Sequence, residues 1–263
     1  TESAEVDSNM GVGNNMFMVA LLFDTVYNDL EPEFRLKVAR KMLTHVRRMY
    51  YLGYLQKSTM PIKYWQQDPQ NNHRWHRGAG MAACLLAIAD MPELQSGYLL
   101  QEFKKEMDFL TRWYPTDGDC HEGAGYQVFG FHYLAIAATM MDRVLGTSYL
   151  EHPGFRHAWE MQIHSWVPGA RSRMSFGDCG NTPGNLGHYA AAFFLGPRLS
   201  RDANAQAALA RWYRFLTGGQ KNRVPFTYPW MMLHYYDPTV GEGDAAALPT
   251  HKLFADIGAV YLR

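Results

Sequence analysis

The sequence predicts an all-α protein, an incomplete α/α toroid of helical hairpins, with a single strand at its C-terminal end. Three observations carry this. Apolar residues recur at helical spacing through most of the 263 residues. The runs are cut by proline and glycine, at Leu30-Glu31-Pro32, Met91-Pro92, Tyr114-Pro115 and Pro168-Gly169. The connections alternate between short proline turns and long polar loops, as expected when helix pairs form a ring whose long loops gather at one end as a binding face. About eight to ten helices are too many for a four-helix bundle, and no fixed sequence period argues for a solenoid.

Residues 1–13 are a polar, glycine-punctuated lead-in. A first helix is expected from Asn14 or Asn15, with asparagine as its cap and Phe17, Ala20, Leu21, Asp24 and Thr25 on one face. Pro32 opens a second, over about 32–56, striped by Phe34, Val38, Met42, Val46, Met49 and Tyr50. The two make an αα-hairpin. After a loop holding Tyr64-Trp65-Gln66-Gln67, further helices are expected over 72–89, 96–113, 123–145, 153–167, 185–194 and 202–216. The aromatic segment 225–236 has no clear form. Residues 253–262 read as a strand. A lone strand cannot satisfy its own edges, so it reads as the start of a β domain beyond this chain. The expected division is a toroid over 1–250 and the start of that β domain over 251–263.

Composition narrows the function classes. Formal net charge is zero, so a polyanionic partner must be met by a local basic lining and not a global field; nucleic acid is not an expected partner. Cys84, Cys120 and Cys179 are too few and too scattered for a disulfide framework or a compact cysteine zinc site, although one disulfide remains open. No apolar run reaches the ~20 residues that cross a bilayer, and no signal-peptide pattern opens the chain.

Two polar stretches stand just ahead of apolar helices. One is Asp117-Gly118-Asp119-Cys120-His121-Glu122-Gly123-Ala124-Gly125-Tyr126; the other is Asn71-Asn72-His73. A turn feeding a helix holds polar groups rigidly at a surface, and the pair suggests one shared cleft. Tyr126 carries a phenol that cationic neighbours can make a proton donor or acceptor, and Glu122, one turn earlier, is expected on the same helical face. His73 offers imidazole chemistry near neutral pH, Asn71 and Asn72 offer amides, and Arg74 and Arg77 offer positive charge. His76 shares a face with His73, so a His-x-x-His metal pair is a second reading. Asp117, Asp119 and Glu122 could be a glycosidase's carboxylates; turn formation and helix capping by Asp119 is the plainer role. The loop around Asp178, with Arg171 and Arg173 before it, is open to a substrate-contact role. Tyr64, Trp65, Trp75, Tyr228 and Trp230 could stack on sugar rings or simply pack. No phosphate-binding glycine loop, serine elbow or dinucleotide fingerprint is present.

These paired motifs, with the early helix Leu21-Leu22-Phe23-Asp24, the Phe176-Gly177-Asp178 loop and the strand at 254–263, resemble the heparinase II/III-like polysaccharide lyases, which include alginate lyases. The resemblance spans most of the chain. It implies an α/α toroid followed by an antiparallel β-sandwich, and cleavage of uronic-acid polysaccharides by β-elimination in the periplasm or outside the cell. It further implies that Asn72 and His73 engage the uronate carboxylate, with His73 also a candidate base, and that Tyr126 acts as acid. Asn71, His76, Arg77, Glu122, Trp65, Asp178 and Arg173 are the remaining substrate-binding candidates. No cofactor is needed for the reaction, while a structural zinc is implied only for the β domain. The departures are the absent β domain, from which such enzymes supply another histidine, and a toroid short of helices at its start. A glycoside hydrolase using Asp119 and Glu122, and a non-catalytic carbohydrate-binding fragment, are the alternatives.

Overall fold

A computed structural model describes residues 10–51, 68–166, 174, 190–218 and 230–262. Among the described residues the chain is all-α apart from one two-stranded sheet. The helices are α1 (Met10–Thr25), α2 (Pro32–Tyr50), α3 (Asn72–Ala87), α4 (Gly97–Trp113), α5 (Ala124–Leu145), α6 (Pro153–His164), α7 (Leu195–Ser200), α8 (Ala203–Gly218) and α9 (Trp230–Tyr235). The strands are β1 (His251–Phe254) and β2 (Ala259–Leu262). The chain forms two compact units: Thr1–Trp113 with Tyr133–Leu150, and Tyr114–His132 with Glu151–Arg263. Helix α5 gives its first residues to the second unit and the rest to the first.

In the first unit α3 is the centre, packed against α1, α2 and α4. The approach of α1 to α3 is set by glycine. A methyl group on Gly80 would lie 2.2 Å from the carbonyl oxygen of Gly13, and one on Gly13 would lie 2.8 Å from that of His76. Both neighbours are backbone and cannot rotate away. Gly80→Ala should therefore push the helices apart and cost about 1–3 kcal/mol, despite alanine's better helix propensity; a thermal melt at or above the wild-type midpoint would refute the close contact.

Helix α1 differs from its expected form. It starts at Met10, so Asn14 and Asn15 are interior and cap nothing; the Asn14 side chain instead accepts a hydrogen bond from the Tyr133 hydroxyl at 3.0 Å. Its buried face is Gly13, Met16, Phe17, Ala20 and Phe23, with Leu21, Leu22, Asp24 and Thr25 exposed. Being apolar on nearly every side, this helix gives periodicity little to choose between. In α2, proline stands at the first turn as expected and Met42, Val46 and Met49 are buried, but Phe34 is exposed.

The second unit packs α6 against α7, α8 and β1. Its core is aromatic. Phe131 stacks on Phe193 with ring centroids 4.9 Å apart and on Tyr114 at 6.1 Å, while Trp212 meets Phe193 edge-on at 6.0 Å. In the 185–194 region only 190–194 are described; these form a tight 3-10 turn, and the α-helix begins at Leu195. The single strand expected at 253–262 is instead a hairpin. β1 pairs antiparallel with β2 in the register His251↔Leu262 to Phe254↔Ala259, around a turn closed by Gly258 at φ +69°. The two halves of the segment satisfy each other's inner edges, so the unpaired-strand argument does not hold. Phe254 and Tyr261 face the core, and Lys252 pairs with Glu160 of α6.

Helix α5, at 22 residues, is long and apolar enough to cross a membrane, contrary to the run lengths read from the sequence. Much of it is buried within the protein, including Gln127, Phe131, His132 and Leu134. Cys84 and Cys120 are buried and neither takes part in a disulfide; burial pushes the Cys84 thiol up to about 12.

Candidate functional site

The start of α3 is built by its own asparagine. Asn71 stands at the N-cap and its side-chain oxygen accepts the His73 backbone N–H at 3.0 Å, fixing the first turn. That capping bond holds the Asn71 oxygen, and both Asn71 and Asn72 are buried. From Asn72 to Leu85 every residue is buried except His73, which is half-buried. His73 is thus the one residue of that stretch that reaches solvent, at the positive end of the helix dipole.

Its neighbours are otherwise engaged. The Arg74 fork makes a two-point bond to Glu106 of α4, Nε to Oε1 at 2.5 Å and Nη2 to Oε2 at 2.7 Å, so its charge is neutralised inside the unit and is not available to an incoming anion. Arg77 is fully buried and its Nε bonds the His73 carbonyl at 3.4 Å. His76 is buried with its ring 3.9 Å from that of Tyr133. Its Nδ1 lies 2.7 Å from the Asn72 carbonyl, which can only accept, so Nδ1 carries the hydrogen. Burial pulls His76 down to about 3, against that hydrogen bond and with help from His73, and keeps it neutral. Trp75 is core, its indole N–H donating to the Pro69 carbonyl at 2.9 Å, which argues for packing over sugar stacking.

In the second unit the turn before α5 is held by buried amides. Gln127 donates to the Gly118 carbonyl at 2.5 Å, and Gln162 of α6 donates to Gln127 at 2.5 Å and to the Ala124 carbonyl at 2.9 Å. Gly118 sits at φ +76°, where a methyl would lie 2.3 Å from the Ala158 backbone nitrogen; only glycine fits the turn against α6. Between Gly123 and Val128 Tyr126 alone is not buried. Glu122 is half-buried but lies in the turn ahead of α5, so it does not share a helical face with Tyr126 as expected.

Asp119 caps no helix. It lies five positions before α5 and is fully buried. Burial first, then the Asp117 and Asp256 carboxyls, pushes it up to about 7, against the approach of the Ile257 amide. Tyr114, expected only as a helix stop, is buried beside it, its phenol raised well above its ordinary value by burial, Cys120, Asp119 and Asp117. Gln127, Gln162, His152 and Asp256 were not singled out from the sequence. The only signal for the glutamines was a long polar side chain on an otherwise apolar helix stripe; Asp256 gave none.

His73 belongs to the first unit and Tyr126 to the second. Trp65, Arg173 and Asp178, with Tyr64, Arg171, Cys179 and Tyr228, lie outside the described residues. Among the described residues no group of three or more His, Cys, Asp or Glu side chains is arranged to hold a metal ion, so neither the His-x-x-His reading nor a zinc site finds a fitting donor set there. No known protein-family profile matches the chain, and no curated protein matches its sequence.

Proposed function

We propose that the chain is a polysaccharide lyase that cleaves a uronic-acid polymer by β-elimination, on a toroid of the heparinase II/III-like kind that a β-sandwich would complete. The observation that carries this reading is that His73 and Tyr126 are each the one side chain reaching solvent from a buried helix start. Both bear proton-transfer groups.

In this reaction the C5 proton of the uronate goes to a base, the C5–H electrons form a C4=C5 double bond, and the C4–O4 bond breaks. The leaving O4 takes a proton. His73 serves as the base and Tyr126 as the acid. The uronate carboxylate carries the charge that develops at C5, and the imidazolium formed as His73 takes the proton stabilises it, at the positive end of the α3 dipole, an electrostatic contribution of the kind that is usually largest. Asn71, whose side-chain oxygen accepts the His73 backbone N–H, holds that turn, with Asn72 next to it and its carbonyl on His76. No cofactor enters the reaction, and its substrate places the enzyme in the periplasm or outside the cell. The alternative hydrolase loses support from Asp119, whose complete burial keeps it from a glycosidic oxygen.

Incubation with a panel of uronans (alginate, heparan sulfate, hyaluronate) tests the proposal. A lyase generates the ultraviolet chromophore of an unsaturated uronate in step with new chain ends. New reducing ends without the chromophore would identify a hydrolase instead, and polymer binding without turnover a non-catalytic module.

A further inference from the structure

Positive charge is gathered on one side of α2. Between Glu33 and Asp68 the sequence holds no acidic residue. Within α2, Lys37, Arg40, Lys41, Arg47 and Arg48 are all exposed, with exposed Thr44 in their midst. Steps of three, one, three, three and one keep these six on one side of the helix. The other side, with Ala39, Met42 and Val46, is buried, so the row is fixed towards solvent. It extends over about 16 Å of helix axis.

Stability does not account for the row. Among the described residues no ion pair holds Lys37, Arg40, Lys41 or Arg47. Arg35, off the row, is engaged: its guanidinium lies 4.2 Å from the centre of the Tyr27 ring, and its Nη2 donates to the Leu30 carbonyl at 2.9 Å. Arg47 and Arg48 stand in the last turn, where the helix dipole favours cations. Lys37, Arg40 and Lys41 stand earlier, and at separations of three and four residues Lys37 is repelled by both of the others. An anion laid along the row relieves that repulsion.

We infer that this row is a binding surface for a linear anionic polysaccharide, which it holds by charge while other residues act on the polymer. Charge and shape select the occupant. Formal net charge is zero, so the attraction belongs to the row itself and fades within about 10 Å at ordinary salt. Cations in single file along a straight helix match a single chain with an anionic group on successive units. A membrane-surface helix turns its apolar side to lipid, whereas that of α2 faces the core. A duplex offers phosphates on two strands across a groove. Single-stranded nucleic acid is held by cations with stacking platforms among them, and no Phe, Tyr or Trp stands between Lys37 and Arg48. The choice of a uronan rests on the lyase reading; the row does not, since none of its residues is placed in the reaction.

Equilibrium binding of polymeric alginate to the full chain tests it without turnover. Wild-type affinity should fall as salt rises, because exposed charges are screened. Lys37→Gln, Lys41→Gln and Arg47→Gln together should weaken binding roughly tenfold at low salt and flatten the salt dependence. Glutamine suits an exposed helix position. Thr44 bonds only the Arg40 carbonyl of its own helix, at 2.8 Å. Thr44→Lys therefore fills the gap in the row and should tighten binding, an outcome that a damaged fold cannot produce. Absence of binding at low salt, a triple variant that binds as the wild type does, or unchanged affinity in Thr44→Lys overturns the surface. Equal or tighter binding of anionic phospholipid vesicles or of DNA at the same salt overturns the occupant. A wild type that binds alginate through the row yet forms no unsaturated product from any uronan fails the lyase reading alone.

Discussion

Tyr126→Phe is expected to fold as the wild type does and to lose uronan cleavage by roughly 10²–10⁴-fold in kcat/KM, the usual contribution of a positioned acid or base. The substitution removes one oxygen from a half-buried ring at the third position of α5 and leaves the packing of Val128 and Phe131 untouched. A structural tyrosine would give the opposite pattern, with turnover kept and the melt lowered. The discriminating measurement is therefore paired: formation of unsaturated product and a thermal melt on the same preparation. Unchanged turnover defeats the assignment of the acid. Reduced turnover with an equal loss of stability assigns Tyr126 to packing.

Glu106→Ala should be the most damaging single change to stability in the first unit, at about 3–5 kcal/mol. Arg74 and Glu106 are both buried, their side chains 5% and 8% exposed, and the Arg74 guanidinium also lies 4.8 Å from the centre of the Phe109 ring. Removing the carboxylate strands a cation where it has no water. At roughly 2–4 °C per kcal/mol for a domain of this size, the calorimetric midpoint should fall by about 10 °C. The double substitution Arg74→Met with Glu106→Leu should recover most of the loss, since an apolar pair can replace a buried ion pair at little cost. A double variant no better than Glu106→Ala would show that the two residues act separately.

Much of the helical order was legible because its signals are local. Pro32, Pro92, Pro115 and Pro153 each stand at or near a helix boundary, and a proline's missing N–H acts on its own neighbourhood whatever the rest of the chain does. The strand was misread because four residues around Gly258 suffice to reverse the chain, and their effect on period is slight. At the candidate site, residue type was legible and burial was not. Asn71, Arg74 and His76 carry suitable chemistry, yet their partners are a helix cap, a glutamate 32 positions on and a tyrosine 57 positions on. Asp119 is the clearest case. A local rule makes it a turn or capping residue, whereas it is buried, with Asp117 of its own turn and, from the far end of the sequence, Asp256 and Ile257 acting on it.

The covering of α3 on nearly every side separates two kinds of tolerance within one helix. Replacements in its body, from Arg74 to Leu85, will be judged by whether the protein survives at all. Those at His73 will be judged by what the surviving protein does. Divergence of specificity through this helix is consequently confined to His73, and a library randomised at that position will yield many soluble members where one randomised a turn later, at Arg77, will yield few.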